Sequence, residues 1–308
     1  MPNPRIVVIG NCTLDLAFNL PRFPEPGETL LATGASQDIG GKGANQAVAA
    51  ARSGVAVSFC SAVGRDVHGT AIRQRLEGEG VGSEHVADVD APTDMSIIHV
   101  TPEGENRIVS THAAAASMEM VMVRPLLRDA VAGDILLMQG NLSRDLTRAC
   151  LREGRQRGMT TVLNPAPIHY CLEDLWPLVD CAVPNEVEAE QLTSCADAAA
   201  GAHRLLALGA RQAIVTLGAA GALLARDGRT AAIEADSVDT VDTTGAGDVF
   251  CGVFAAALGR GLDATRAVRV ATGAATLSVT RPGTQRAFPR RPEIERLFRT
   301  GEARDEGA

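Results

Sequence analysis

The chain holds a single lysine. Every one of its 29 Lys and Arg residues except Lys42 is arginine, and the formal net charge at pH 7 is −8. No stretch concentrates positive charge, so nucleic acid and membrane surfaces are poor partners; both are held mainly through clustered Lys and Arg. No apolar run reaches the roughly 18 residues that a membrane-crossing helix needs. The N-terminal apolar stretch Ile6-Val7-Val8-Ile9 is short and stops at Gly10-Asn11, so it reads as a first strand rather than a leader peptide. Cysteine-pairing signals are missing too. Cys12, Cys60, Cys150, Cys171, Cys181, Cys195 and Cys251 are odd in number, and none stands in C-x-x-C spacing. Reduced, mostly buried thiols and a cytoplasmic location are the expectation. Two nucleotide fingerprints are also absent. There is no G-x-x-x-x-G-K-[ST] loop, and Gly41-x-Gly43 lacks a third glycine and does not follow the first strand, which argues against a dinucleotide site. We find no internal repeat and no low-complexity tract.

What is present is a 308-residue chain with 45% hydrophobic residues, enough for one large α/β domain or two smaller ones. Strand-like runs at 5–10, 56–63, 134–138, 159–163, near 179–183 and at 212–217 alternate with helix-like segments. Those helices fall at 43–53, 67–79, 144–157, 186–193 and 196–208. The alternation predicts an α/β fold: a doubly wound, mainly parallel sheet with helices on both faces. Residues 15–37, with Pro21, Pro24, Pro26 and Gly27, and residues 93–112, folded about Pro102-Glu103-Gly104-Glu105-Asn106, contain no helix. They predict a small separate β-sheet, placed as a lid that excludes water from a reacting site. Residues 220–234 look like another hairpin, Ser237–Val241 like a strand, and 245–260 and 262–279 like long helices. We expect one domain over 1–299 and a frayed tail over 300–308.

The strongest chemical signal is Asp242-Thr243-Thr244-Gly245-Ala246-Gly247-Asp248 ahead of an apolar helix. Small residues at a helix start leave backbone N–H groups bare and convergent, where the helix dipole is positive, and such a site binds anions. A carboxylate beside a phosphate is repulsive, so Asp248 needs a reason; general-base work on an attacking hydroxyl supplies one, and a helix cap is the other reading. Gly40-Gly41-Lys42-Gly43-Ala44-Asn45-Gln46 allows close backbone approach to a ligand, with Lys42 and Asn45 as donors suited to vicinal hydroxyls. Asp15 lies just past the first strand, at the end of the sheet where α/β ligands bind; it serves either two ligand hydroxyls or its own backbone. Pro184-Asn185-Glu186-Val187-Glu188 and Thr216-Leu217-Gly218-Ala219-Ala220-Gly221 both start at strand ends. Each reads either as a cap or turn, or as a place for water, Mg²⁺ and a nucleotide.

Taken together, these stretches resemble the ribokinase-like (phosphofructokinase B) family of carbohydrate kinases, over roughly residues 5–298. The carriers are Gly40–Ala50, Asp242–Asp248, Pro24-x-Pro26-Gly27-Glu28-Thr29, Leu163-Asn164-Pro165-Ala166-Pro167 and Pro184-Asn185-Glu186-x-Glu188. The resemblance implies transfer of the ATP γ-phosphoryl group to a sugar hydroxymethyl, with D-ribose or a related pentose as the default acceptor. Asp248 would be the base, and the N–H groups of Gly245, Ala246 and Gly247 the anion hole. Thr13, Asp15, Gly41, Lys42, Asn45 and Asn141 would hold the sugar. Asn185, Thr216, Gly218, Gly221, Gly247 and Thr272 would lie along the nucleotide, with Glu188 near Mg²⁺ through water. An activating K⁺ would be held by Asp242, Thr244, Ser278, Arg281 and Gly283. The lid would double as a homodimer contact.

Some positions depart from the family pattern. Ribose-specific members usually carry Asn where this chain has Thr13, Glu where it has Asn141, and Gly-Ala-Asn where it has Ala114-Ala115-Ala116; Ala287 replaces a serine often found at the K⁺ site. Losing a carboxylate acceptor costs a few kcal/mol for a hydroxyl built to meet it. A nucleoside kinase of the same fold is therefore the alternative, favoured by Asn141. A non-catalytic sugar or nucleotide sensor on this fold is more remote, because a sensor has no use for Asp248 beside an intact glycine cradle.

Overall fold

The structure, a computed structural model, describes residues 4–102 and 105–303. It starts with β1 (Ile6–Ile9), β2 (Thr13–Asn19), β3 (Gly34–Gly40), α1 (Lys42–Arg52), β4 (Val57–Gly64), α2 (Val67–Gly78) and β5 (Gly82–Val89). There follow β6 (Met95–Val100), β7 (Asn106–Ser110), α3 (Ala113–Ala116), α4 (Met120–Arg128), β8 (Ile135–Gln139), α5 (Arg144–Gln156), β9 (Thr160–Asn164) and β10 (Cys181–Ala182). The chain ends with α6 (Glu186–Thr193), α7 (Ala198–Ala207), β11 (Gln212–Thr216), β12 (Ala222–Arg226), β13 (Arg229–Ile233), α8 (Ala246–Gly259), α9 (Ala264–Ser278) and α10 (Arg291–Ala303).

The main sheet has nine strands in the order β13-β12-β11-β10-β9-β8-β1-β4-β5. All its pairings are parallel except β11–β12 and β12–β13, which are antiparallel and add a hairpin at one edge. β1 shows why it sits centrally. Its four residues are wholly buried, and an apolar run without alternation is what a strand covered on both faces requires. Ile6 and Val8 enter one core, shared with α1, α2, α8, α9 and α10; Val7 and Ile9 enter the other, shared with α3 to α7. Each such side chain contributes about 1.5–3 kcal/mol of burial. Helix starts are fixed by Asp66, Ser143, Asp197 and Asp263, whose side chains accept backbone N–H groups. Strand order reverses at β1, whose neighbours β8 and β4 lead in opposite directions, and ligands in open α/β sheets bind beyond the carboxyl ends of strands at that point.

The small sheet is separate, in the order β3-β2-β6-β7. Its alternation sorts two faces. Thr13, Asp15, Ser96, Ile98, Ile108 and Ser110 line a cleft toward the main domain. Leu16, Ile97 and Val109, neighbours in register, lie on the other face. The expected doubly wound sheet with a second small sheet is therefore what forms.

Local differences have physical reasons. Ser237–Val241 is no strand: β13 ends at Ile233, and the chain beyond it runs irregularly until the Val241 and Asp242 N–H groups both meet the Val279 carbonyl. Residues 300–303, expected as tail, extend α10, while 304–308, like residues 1–3 and the turn residues Glu103 and Gly104, lie outside the described residues. β5, α3, α4 and α10 were not foreseen. All seven cysteines are free, with five buried, Cys195 half-buried and Cys171 exposed. Burial pushes the Cys12, Cys60 and Cys181 thiols up to about 12. Among the described residues no helix is long and apolar enough to cross a membrane.

Candidate active site

Two clefts meet at the start of α8. The first, about 530 Å³, lies under the small sheet and is lined by Thr13, Asp15, Gly41, Lys42, Asn45, Asn141, Thr244, Gly245 and Asp248, among others. The second, about 330 Å³, is lined by Thr216, Gly218, Gly221, Thr243, Ala246, Gly247 and Thr272 with the irregular segment around Ser237. The loop from Thr243 to Asp248 is thus a shared wall, with Thr244, Gly245 and Asp248 facing one side and Thr243, Ala246 and Gly247 the other. Gly245 makes that turn possible. It has φ +78°, and a Cβ there would lie 2.8 Å from the Phe288 ring and 2.9 Å from Thr284.

The anion cradle differs in one donor from expectation. The Ala246 N–H turns back to the Thr243 carbonyl at 3.2 Å. The N–H groups of Gly245, Gly247 and Asp248 are those left without a partner among the described residues, at the positive end of a 14-residue helix.

Asp248 is buried and held on both oxygens. Asn45 Nδ2 donates to Oδ2 at 3.0 Å, and Gln46 Nε2 donates to Oδ1 at 3.0 Å. The amides are oriented in turn: Gln285 Nε2 donates to Asn45 Oδ1 at 3.0 Å, and Gln139 Nε2 to Gln46 Oε1 at 2.9 Å. Amide donors orient a carboxylate without neutralising it, so Asp248 keeps the lone pairs a general base needs. Lys42 Nζ stands 3.8 Å from Asp248 Oδ1, and that carboxylate holds the ammonium above its ordinary pKa against the opposing effect of burial. Asn45 lines the first cleft, but its amide is engaged by Asp248 and Gln285. Gln46 was assigned no role from sequence. Its signal was its place in the glycine loop, but the contact it makes spans 202 residues and is visible only in the fold.

Asp15 lies directly over Gly40, where a Cβ would come within 1.8 Å of its carboxylate. Burial raises its pKa, and the charges of Asp38 and Asp248 add to the effect; hydrogen bonds from Thr13, at 2.7 Å, and Ser96 oppose it. Each cleft also holds one buried polar atom without a partner: Asn141 Oδ1 in the first and Thr272 Oγ1 in the second. Orphaned atoms of this kind are rare in a folded chain and fit a missing ligand.

The expected cation ligands are partly engaged. Asn185 caps α6; its backbone N and Nδ2 each lie 3.0 Å from a Glu188 oxygen. Asn185 also bridges to Thr216, which sets it beside the second cleft without lining it. Asp242 accepts the Thr244 N–H and the Gly283 N–H, both at 2.9 Å, and so ties two loops together. The Ser278 carbonyl accepts the Arg281 N–H at 3.3 Å, the Arg281 side chain is paired with Glu293, and Ala287 is buried.

Residues 3–291 match the model of the pfkB family carbohydrate kinases. A ribokinase of Haemophilus influenzae is 35% identical over 297 residues, covering 94% of this chain and 96% of that protein. A deoxyribokinase of Salmonella typhi is 32% identical, covering 92% and 95%. Among solved structures, a Thermotoga maritima ribokinase superposes with TM-score 0.88 at 32% identity over 96% of this chain and 99% of its own. Arabidopsis thaliana ribokinase complexed with ribose and ATP gives 0.87 at 28% identity, over 97% and 99%. The family model spans nearly the whole described chain, and both clefts and their shared glycine wall lie inside the matched segment, so this chain belongs to the pfkB family of carbohydrate kinases.

Proposed function

We propose that the chain transfers the γ-phosphoryl group of ATP to the hydroxymethyl of D-ribose or a related pentose, giving the sugar 5-phosphate and ADP. The observation that carries this is the loop of residues 243–248, which presents a fixed carboxylate to one cleft and small residues to the other. The sugar occupies the cleft under the small sheet. Asp15 and Thr13 accept and donate to its hydroxyls, and Lys42, Gly41 and Asn141 bound it. Asp248 takes the hydroxymethyl proton as that oxygen attacks phosphorus, while the bare N–H groups at the start of α8 receive the charge on the transferring oxygens. The nucleotide lies in the second cleft along Thr216, Gly218, Gly221 and Gly247, where Thr272 offers its unpartnered hydroxyl.

Glu188, both of whose oxygens face Asn185, fits a hydrated Mg²⁺ reached through water rather than direct ligation. Asp242 ties Thr244 to Gly283, and the Arg281 N–H turns back to the Ser278 carbonyl; carboxylate and carbonyl oxygens of these five residues would suit K⁺. When bound, these cations would offset phosphate charge and brace the glycine loop. The free thiols suit the reducing cytoplasm, and the apolar stripe on the outer face of the small sheet suits a homodimer. Asn141, an amide with an orphaned oxygen in a cleft of about 530 Å³, keeps a nucleoside acceptor as the second reading. Phosphorylation of D-ribose, 2-deoxyribose, hexoses and nucleosides under one condition, read by ADP release, tests the proposal. Turnover confined to nucleosides would replace the pentose, and no ADP from any acceptor would overturn the kinase reading.

A further inference from the structure

Two serines on the inner face of the small sheet take no part in phosphoryl transfer. Asp15, Ser96 and Ser110 are neighbours in register on β2, β6 and β7, and all three line the first cleft. The next row along β6 and β7 is apolar, with Ile98 paired to Ile108. The polar row is connected. Thr13 Oγ1 donates to Asp15 Oδ1 at 2.7 Å, Ser96 Oγ lies 3.5 Å from Thr13 Oγ1, and Ser110 Oγ lies 3.0 Å from Ser96 Oγ. The carboxylate end fixes which way the hydrogens point. An ionised carboxylate only accepts, and a hydroxyl has one hydrogen to give. Thr13 gives its hydrogen to Asp15. Ser96 then gives its own toward Thr13 and Asp15, and its hydrogen bond helps hold the Asp15 charge. Ser110 gives its own to Ser96. At the end of the row Ser110 is left with lone pairs only, and its side chain has no other hydrogen-bond partner among the described residues. The same cleft holds a second acceptor in want of a donor, the buried Asn141 Oδ1.

We propose that Ser110, set by Ser96, is a specificity-determining residue for the acceptor: it accepts the hydrogen of one ring hydroxyl, and the cleft thereby selects a fully hydroxylated pentose over the analogue lacking that group. This rests on the sugar occupying the cleft under the small sheet. The two rows suit the two kinds of surface on a cyclic sugar. The hydroxyl edge lies along Asp15, Ser96 and Ser110, and ring C–H groups lie against Ile98 and Ile108. A deoxy analogue brings a C–H to Ser110 and leaves its lone pairs unmet. Ser110 stands exposed at the mouth of the cleft, so the preference is moderate, about tenfold.

The test is equilibrium titration of D-ribose, 2-deoxy-D-ribose, 3-deoxy-D-ribose and 1,4-anhydro-D-ribitol into the full chain, with ADP release from each measured alongside. It compares the wild type with Ser110→Ala, Ser96→Ala and Ser110→Thr. The wild type should bind D-ribose about tenfold more tightly than the analogue that lacks the hydroxyl facing Ser110. Ser110→Ala should erase that one preference and leave those against the other two analogues, because hydroxyl and serine are partners in a single contact. Ser96→Ala should weaken the same preference with Ser110 intact, since the Ser110 hydrogen is then free to point into the cleft. Ser110→Thr, which keeps the hydroxyl, should retain it. Preferences unchanged in Ser110→Ala would overturn the proposal. So would four affinities that fall together, the mark of a merely structural role, or a wild type that binds none of the four sugars. Ser110-dependent binding without ADP from any acceptor would uphold the proposal and remove the kinase reading instead.

Discussion

At the scale of single residues, the site separates holding a proton acceptor from being one. In the proposed reaction Asp248 is the group that takes the hydroxyl proton, whereas Asn45 and Gln46, which donate to its carboxylate, fix where it points. Asp248→Asn should therefore lower kcat by about 10²–10⁴-fold with the sugar Kd nearly unchanged. Initial rates and equilibrium binding on one preparation check this, and a variant keeping half the wild-type rate would refute the assignment. Gln46→Leu should behave differently. It leaves the Gln139 amide without its acceptor and Asp248 with one fewer donor, so stability should fall by about 1–3 kcal/mol and kcat by a smaller factor than for Asp248→Asn. Denaturant unfolding beside kinetics resolves the two effects. Asp15 adds a pH-dependent case. Its folded-state pKa is raised mainly by burial, so its charged form is less favourable folded than unfolded. That penalty is absent below the ordinary aspartate pKa of about 3.9 and develops as pH rises through the raised value. Asp15→Asn should then raise the melting temperature at neutral pH, lose that advantage near pH 4, and weaken acceptor binding throughout. Destabilisation at neutral pH would show that hydrogen bonds to the carboxylate outweigh its burial.

At the scale of elements, catalytic geometry depends on how closely two helices approach. α1 carries Lys42, Asn45 and Gln46, and α8 carries Asp248. At their crossing a Cβ on Gly252 would meet the Gln46 carbonyl oxygen at 2.4 Å and Ala49 Cβ at 2.7 Å. Gly252→Val should force the helices apart at a cost of about 1–3 kcal/mol and, by drawing the amides from Asp248, reduce kcat more than either KM. A variant with lowered melting temperature but intact kcat would show that the amide clamp tolerates the shift. The same scale explains what the sequence made legible. β1, β8 and α8 could be read because long apolar runs leave no other placement, and the small sheet because residues 15–37 and 93–112 offered extended segments without a helix. α4 was hidden by Pro125 inside it, and α10 by arginines among its apolar positions. In the site, residues within the two glycine-rich motifs were recognisable locally. The Gln139–Gln46–Asp248–Asn45–Gln285 network was not, since its members come from α1, β8, α8 and a loop that only tertiary folding assembles.

At the scale of the whole molecule, the small sheet presents a problem of exposure. Its inner face lines the first cleft, but its outer face shows Leu16, Ile97 and Val109 side by side, with Ile97 40% and Val109 73% exposed. β7, which carries Val109, is also an edge strand whose outer backbone groups have no neighbour in the sheet. An apolar stripe next to an open edge favours association unless something covers it. A second copy of the chain, sheet against sheet, would bury both, and each lid would then brace the other over its acceptor cleft. Val109→Asp tests this. A carboxylate forced into that contact without a partner costs a few kcal/mol, so a dimer should dissociate into monomers at micromolar concentration. Sedimentation equilibrium reads the mass directly. Because Val109 faces away from the cleft, its own side chain contacts neither sugar nor nucleotide. Any kinetic change must therefore come through the lid: acceptor KM should rise as each lid loses its brace, while KM for ATP and the Asp248-dependent step stay near wild-type values. A wild-type chain sedimenting as a monomer would show that the stripe is simply solvated, and a dimeric Val109→Asp variant would place the contact elsewhere on the molecule.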